Sequence, residues 1–352
     1  MGLLTFGLDN LFLFILCANH NKIIIFARFI CNIKKTFKMD YLILIGALAL
    51  IIVAAMMLTD GSVALAERLK IPQFIVGLTV VAVGTSMPEL TVSMLSALNG
   101  HGDMAIGNVV GSNIFNIFAI LGICAIFSPV LFTKTNIRRD IPICIAATMA
   151  LLVVTLLNQD ITRIEGVVLL TGYIAMLYFT IRAEKRSVAE GNAEAVECGE
   201  ACAKMPLWRI PIWIILGLAG LIYGGDLFVD SATNIAKSLG VSEAVIAITL
   251  LAGGTSLPEL ASSLVSIFKG SPSLALGNVL GSNIANILLI LGACSTVTPL
   301  SMGGVTMSDI YVAVAAALLI MVSALVIGRD KMTRFEGVVF VCCYAAYIYT
   351  LI

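Results

Sequence analysis

Along most of this chain, apolar residues run in blocks long enough to cross a hydrocarbon layer about 30 Å thick, separated by short polar intervals. The pattern predicts helices near 41–59, 72–98, 104–127, 141–157, 165–182, 211–230, 242–268, 274–297, 309–327 and 336–352. The fold class that follows is an all-α polytopic membrane protein with ten transmembrane helices. Polar groups interrupt the blocks at only a few places, and the same interruptions occur twice.

Gly84-Thr85-Ser86-Met87-Pro88-Glu89-Leu90 returns as Gly254-Thr255-Ser256-Leu257-Pro258-Glu259-Leu260, and Gly107-Asn108-Val109-Val110-Gly111-Ser112-Asn113-Ile114 returns as Gly277-Asn278-Val279-Leu280-Gly281-Ser282-Asn283-Ile284. The offset is 170 residues throughout, and 22 of 39 positions between Gly84 and Gly122 are identical to their counterparts. A repeat of this quality sets the architecture before other arguments. Five crossings per repeat place the two copies in opposite orientations, the inverted-topology arrangement of secondary transporters. The domains expected are a first repeat over 39–182, a polar linker over 183–209 and a second repeat over 210–352.

Composition agrees: 60% of the 352 residues are hydrophobic and 12% charged, with a mean hydropathy of +1.05, where soluble domains have roughly 45–50% and 25%. The net charge of zero argues neither way, but no basic patch with interleaved aromatics occurs, so nucleic acid is not expected as a partner, and no protein partner is evident. Outside residues 1–38, fourteen of the Lys and Arg residues fall in one set of loops (59–71, 128–140, 182–210, 269–273, 328–335) and only Arg163 and Lys237 in the other. The positive-inside rule puts the first set in the cytoplasm and both ends of the ten-helix core outside. Residues 1–38 break this scheme through Lys22, Arg28, Lys34, Lys35 and Lys38 and lack a counterpart in the second repeat. They read as an upstream extension or misassigned start, with an extra membrane-associated segment near 11–31 as the alternative. Trp208 and Trp213 suit interfacial anchoring, and Cys198 and Cys202 are an isolated pair without the further ligands of a metal site.

The repeated interruptions carry the chemistry. Proline removes its own N–H and clashes with the carbonyl four residues back, so Pro88 and Pro258 release the carbonyls of Gly84 and Gly254. Thr85 and Glu89, like Thr255 and Glu259, share a helix face, with Ser86 and Ser256 beside them. The next helix of each half adds Ser112 and Asn116, or Ser282 and Asn286. All are hard oxygen ligands suited to sodium, calcium or magnesium. A lone carboxylate in the bilayer costs about 2.5–3.5 kcal/mol even on the forgiving insertion scale, and none of the four motif helices holds a Lys or Arg to offset it. A bound cation or proton is the simplest partner. Asp60 and Asp230 read as helix-end residues, Asp226 as a secondary ion or proton station, and Glu243 as a first-turn acid. His20 and His101 have no partners that suggest catalysis or metal binding.

The two duplicated motifs resemble the alpha repeats of the calcium/cation antiporter superfamily, and the chain is most similar to prokaryotic sodium/calcium exchanger-like proteins over essentially all of 40–352. The resemblance implies a central cation site where the second, third, seventh and eighth helices meet, with the first and sixth helices moving to alternate access. It implies as ligands Thr85, Ser86, Glu89, Ser112, Asn116, Thr255, Ser256, Glu259, Ser282 and Asn286, with the backbone carbonyls of Ala82 and Ala252. It further implies calcium and sodium as transported ions, no cofactor, lipid as surroundings and the prokaryotic inner membrane as location. One departure matters: several exchangers of this superfamily carry aspartate where this chain has Asn286, so here the site holds only two acids. The function expected is calcium export against sodium by alternating access, not enzymatic turnover. Proton coupling or another divalent ion is the first alternative and a passive channel the second. An intramembrane enzyme is weakened by the lack of a His-Glu-x-x-His motif or a Ser-His pair.

Overall fold

The computed structural model describes residues 20–158, 160–189, 205–239, 252–303, 305–327 and 330–351. Apolar sequence folds here as helices because every backbone polar group must be satisfied within its own segment when water is absent. The helices are α1 (His20–Leu69), α2 (Gln73–Thr85), α3 (Met87–Leu98), α4 (Gly102–Phe127), α5 (Asn136–Leu157), α6 (Arg163–Ala189), α7 (Arg209–Ser238), α8 (Leu257–Phe268), α9 (Pro272–Val297), α10 (Met307–Ile327) and α11 (Arg334–Leu351). Eight of them contain a stretch long and apolar enough to cross a membrane, α2 and α3 form one bent pair at 45°, and α8 is a shorter apolar helix. The start of the helix expected over 242–268 lies outside the described residues up to 251, as do Glu243, Cys198 and Cys202.

Several helix ends differ from the sequence expectation: α1 starts at His20 instead of 41, α5 at Asn136 instead of 141, and α6 runs to Ala189 instead of 182, into the expected linker. α1 continues to Leu69 instead of stopping near 59, and α7 continues to Ser238 instead of 230. Asp60 and Asp230 therefore sit about two turns inside their helices and are not caps. Polar side chains alone do not end a helix: α1 runs on until Lys70 turns left-handed (φ 53°), and α7 until Leu239 (φ −86°, ψ 0°) leaves the helical region. Helix α1 also runs unbroken from His20 through Met39.

Burial separates the helices into layers. In α4 and α9, 78% and 89% of the apolar window is buried, against 17–44% for the other crossing helices, so these two form the axis and the others present apolar faces to lipid. The main core gathers Ile106, Val109, Ile117 and Leu121 of α4 with Leu276, Val279, Leu280 and Leu291 of α9. A second, smaller core joins Ile51, Ala55 and Leu58 of α1 to Ile214 and Leu221 of α7. A Cβ on Gly217 of α7 would stand 2.7–2.9 Å from the backbone of Ala54 and Leu58, so this pair packs closely. On the axis, a side chain at Gly277 would land on the Phe74 carbonyl of α2. That glycine of the Gly-x-x-x-Gly pattern thus has a packing role.

Two-residue antiparallel ladders tie the loops together. β1 (Val130–Leu131) pairs with β4 (Lys331–Met332), and β2 (Asp160–Ile161) with β3 (Leu300–Ser301). Since 130 corresponds to 300, each ladder joins one half to the other, and the two ladders exchange under the repeat. At the start of α7, the Arg209 guanidinium lies 3.8 Å over the Trp213 ring while Trp208 is exposed.

Candidate cation site

Helix breaks build the site. Ser86 (φ −83°, ψ 11°) and Ser256 (φ −91°, ψ 9°) leave the helical region, and each is followed by a helix with proline in its first turn. Those helices, α3 and α8, begin inside the protein and carry Glu89 and Glu259 in their first turns, where unpaired N–H groups favour negative charge. α4 and α9 pass alongside and change from α to π geometry at Phe115–Leu121 and Asn286–Leu291, segments that contain Asn116 and Asn286. Such π segments often mark functional positions in helices.

Both glutamates are completely buried. Each is held by the opposite half of the chain: Ser256 Oγ donates to Glu89 Oε1 at 2.9 Å, and Ser86 Oγ donates to Glu259 Oε1 at 2.9 Å. Ser112 Oγ reaches Glu89 Oε1 at 3.5 Å and lies 2.9 Å from Ser256 Oγ, while Ser86 and Ser282 hydroxyls are 3.1 Å apart. The sequence places each serine beside the glutamate of its own half; three-dimensional pairing swaps them. Thr85 Oγ1 donates to Asn278 Oδ1 (3.2 Å), and the Ala82 carbonyl accepts from the Ser86 N–H (3.0 Å) and the Thr85 hydroxyl (3.4 Å). Ala252 opens the corresponding turn in the second half.

Among the described residues, four buried oxygens of this cluster have no hydrogen-bond partner: Glu89 Oε2, Glu259 Oε2, Asn116 Oδ1 and Asn286 Oδ1. Buried polar atoms are ordinarily satisfied, because leaving one unpaired costs about 1–3 kcal/mol or more when charged. Among the described residues no Lys or Arg pairs with either glutamate, and no three acids, histidines or cysteines gather. The set is two carboxylates with neutral oxygens, a donor chemistry that fits hard cations.

Residues not singled out from sequence complete the cluster. Asn108 Nδ2 donates to the Glu89 backbone carbonyl (3.3 Å) and Ser93 (3.0 Å), and Asn278 Nδ2 donates to the Glu259 carbonyl (3.3 Å), Ser262 and Ser263 (2.9 Å each). Asn113 and Asn283 cross between α4 and α9. Their signal was present in the duplicated motif, which repeats every one of these asparagines. A cavity of about 580 Å³ reaches Thr255, bounded by Pro88, Thr91, Asn108, Asp226 and Asp230. Asp60 instead pairs with Lys269, and His101 is exposed.

The family model for the sodium/calcium exchanger protein matches residues 39–182 and 209–352. The chain belongs to the sodium/calcium exchanger family. Within it, CaxA of Alkalimonas amylolytica is 37% identical over 311 residues, covering 88% of this chain and 97% of CaxA. The sodium/calcium exchanger MaX1 of Methanosarcina acetivorans is 30% identical over 354 residues, covering 89% of this chain and 98% of MaX1. The solved structure of the sodium-calcium exchanger NCX_Mj soaked with 10 mM Na⁺ and zero Ca²⁺ superposes with a TM-score of 0.77 at 31% identity, covering 90% of this chain and all of that one. This exchanger-family chain is therefore a multi-pass membrane protein and a cation exchanger of the calcium-transporting kind. Exchangers of this family move ions and are not enzymes.

Proposed function

We propose that the protein exchanges calcium for sodium across the prokaryotic inner membrane by alternating access, exporting calcium. Its transported ions bind among Thr85, Ser86, Glu89, Ser112, Asn116, Thr255, Ser256, Glu259, Ser282 and Asn286, with the backbone carbonyls of Ala82 and Ala252. The observation that carries this reading is the group of four buried oxygens without a partner among the described residues, one on each fully buried glutamate and one each on Asn116 and Asn286. Bound cations supply partners for these oxygens and offset the cost of burying the carboxylates.

The reading has ten crossings in two inverted repeats, 39–182 and 210–352, joined by the cytoplasmic linker 183–209, with both core ends outside. The exchange of serine–glutamate bonds and of loop ladders between halves supports a two-fold relation. Lys and Arg distribution supports the sidedness. With two carboxylates, one calcium, two sodium ions or two protons neutralise the site, while an empty site keeps two uncompensated charges. Crossing is then favoured only when loaded, because an ion shifts the equilibrium by its differential affinity for the two states.

Radiolabelled calcium uptake into proteoliposomes loaded with sodium tests the reading. Uptake that requires the sodium gradient is the expected result. Uptake driven by a proton gradient without sodium would replace sodium by protons as the coupling ion, and flux near the diffusion limit would mean a channel.

A further inference from the structure

Four amides on α4 and α9 form a closed set beside the glutamates. Asn113 Nδ2 donates to the Asn283 carbonyl at 3.2 Å, and Asn283 Nδ2 donates to the Asn113 carbonyl at 3.3 Å. With their N–H ends engaged on backbone, both side chains offer Oδ1 to a neighbour. Asn283 Oδ1 accepts from Asn116 Nδ2 (3.1 Å), and Asn113 Oδ1 accepts from Asn286 Nδ2 (2.9 Å). Asn286 Nδ2 uses a second N–H on Ser112 Oγ at 3.1 Å. The result appears at the other end of each amide, where Asn116 Oδ1 and Asn286 Oδ1 are buried and unpartnered.

An asparagine amide has nearly the same shape when its oxygen and nitrogen are exchanged. A cation distinguishes the two sharply, because the oxygen attracts it and the NH₂ group repels it. Some group must therefore select the orientation, and the selecting acceptors here are Asn113 and Asn283. We propose that Asn113 and Asn283 are positioning residues that turn the carbonyl oxygens of Asn116 and Asn286 toward the cation and restrict both positions to amides, holding the site at two carboxylates. This rests on the cation-site reading above.

The restriction follows from donor and acceptor matching. An aspartate at 286 puts a carboxylate oxygen where Asn286 Nδ2 now stands, 2.9 Å from Asn113 Oδ1, acceptor against acceptor. Asn113 can turn its amide round only by giving up its bond to the Asn283 carbonyl. The charge of the site is thus set by residues that do not face the ion.

The test is calcium binding to the purified full-length protein, by equilibrium dialysis, for wild type, Asn113→Ala, Asn286→Ala and the double variant. Asn113→Ala is expected to weaken binding by about tenfold or more, within the 10–100-fold seen for groups that orient metal ligands. The double variant should bind within about twofold of Asn286→Ala alone, because the orienting group then has nothing to orient. Wild-type affinity in Asn113→Ala, or losses that multiply in the double variant, overturns the proposal. Asn283→Ala gives the same readout through Asn116 should Asn113→Ala misfold. Asn286→Asp alone is expected to gain no calcium affinity, whereas Asn113→Ser with Asn286→Asp, whose serine hydroxyl can donate to the new carboxylate, should bind about fivefold tighter than Asn286→Asp; a gain in the single variant overturns the restriction. Wild-type protein that binds neither calcium nor sodium removes the cation-site reading itself, an outcome distinct from intact binding that Asn113→Ala leaves unchanged.

Discussion

The two halves supply the same motif to the site, yet the surroundings of the two threonines differ. On the Thr255 side a cavity lined by Thr91, Asn108, Asp226 and Asp230 leads in from outside the helices. On the Thr85 side the threonine is fully buried, Thr59 and Ser266 hydroxyls meet at 3.3 Å, and Lys269 bridges Asp60 and the Met56 carbonyl. At the 170-residue offset Asp60 corresponds to Asp230, Lys269 to Asn99 and Met56 to Asp226. Lys269 and Asn99 are the C-caps of α8 and α3, where a cation is favoured, but only one of them carries charge. One path therefore ends in two carboxylates four residues apart and the other in an ion pair. The two sides thus differ at residues on α1, α7 and the cap positions, while the duplicated motif is the same in both.

The largest expected effect tests the shared part. Glu259→Gln keeps the side-chain volume and removes the charge, so calcium transport should fall by on the order of 100-fold, as for loss of a buried charged partner worth about 3 kcal/mol. Glu89→Gln should behave alike. Uptake at the wild-type rate by correctly folded Glu259→Gln would falsify the symmetric ligand set.

The swapped hydrogen bonds come next. Ser86→Ala removes a bond to a charged acceptor worth about 1.5–3 kcal/mol, so calcium affinity should drop by roughly tenfold or more. Its effect should vanish in a Glu259→Gln background and persist in Glu89→Gln, measured as binding in a double-variant cycle. The reverse dependence would return each serine to its own half.

A smaller effect is expected at the ion pair, whose side chains are 29% and 33% exposed. Exposed pairs contribute about 0.2–1 kcal/mol, so Lys269→Gln should raise thiol-reagent labelling of a cysteine at Ser266 by up to about fivefold. The converse variant, Asn99→Lys, supplies a cation opposite Asp230 and should slow labelling of a cysteine at Thr91 by a similar factor. Labelling unchanged in both would leave the difference between the two paths without an electrostatic cause.

Much of this was legible along the chain. The helical type of the apolar blocks, the duplication, the paired prolines and both glutamates are local signals, since each depends on residues within one helix or on a motif compared with its copy. Asp60 reads from sequence as a helix-end carboxylate, capping or solvated; its place inside α1 and its Lys269 partner, 209 residues away, are visible only in three dimensions. The orienting asparagines lay within the repeated motif in full view, but a side chain's partner is not a property of its own helix.

Sequence by itself determined that this is a helical membrane protein with a duplicated oxygen-rich site, because hydropathy, proline chemistry and repeat spacing act locally. Tertiary structure alone decided which serine holds which glutamate, which way the site amides point and which side carries the cavity. Those depend on two halves crossing through one another, where hydrogen bonds of about 3 Å join residues some 170 positions apart.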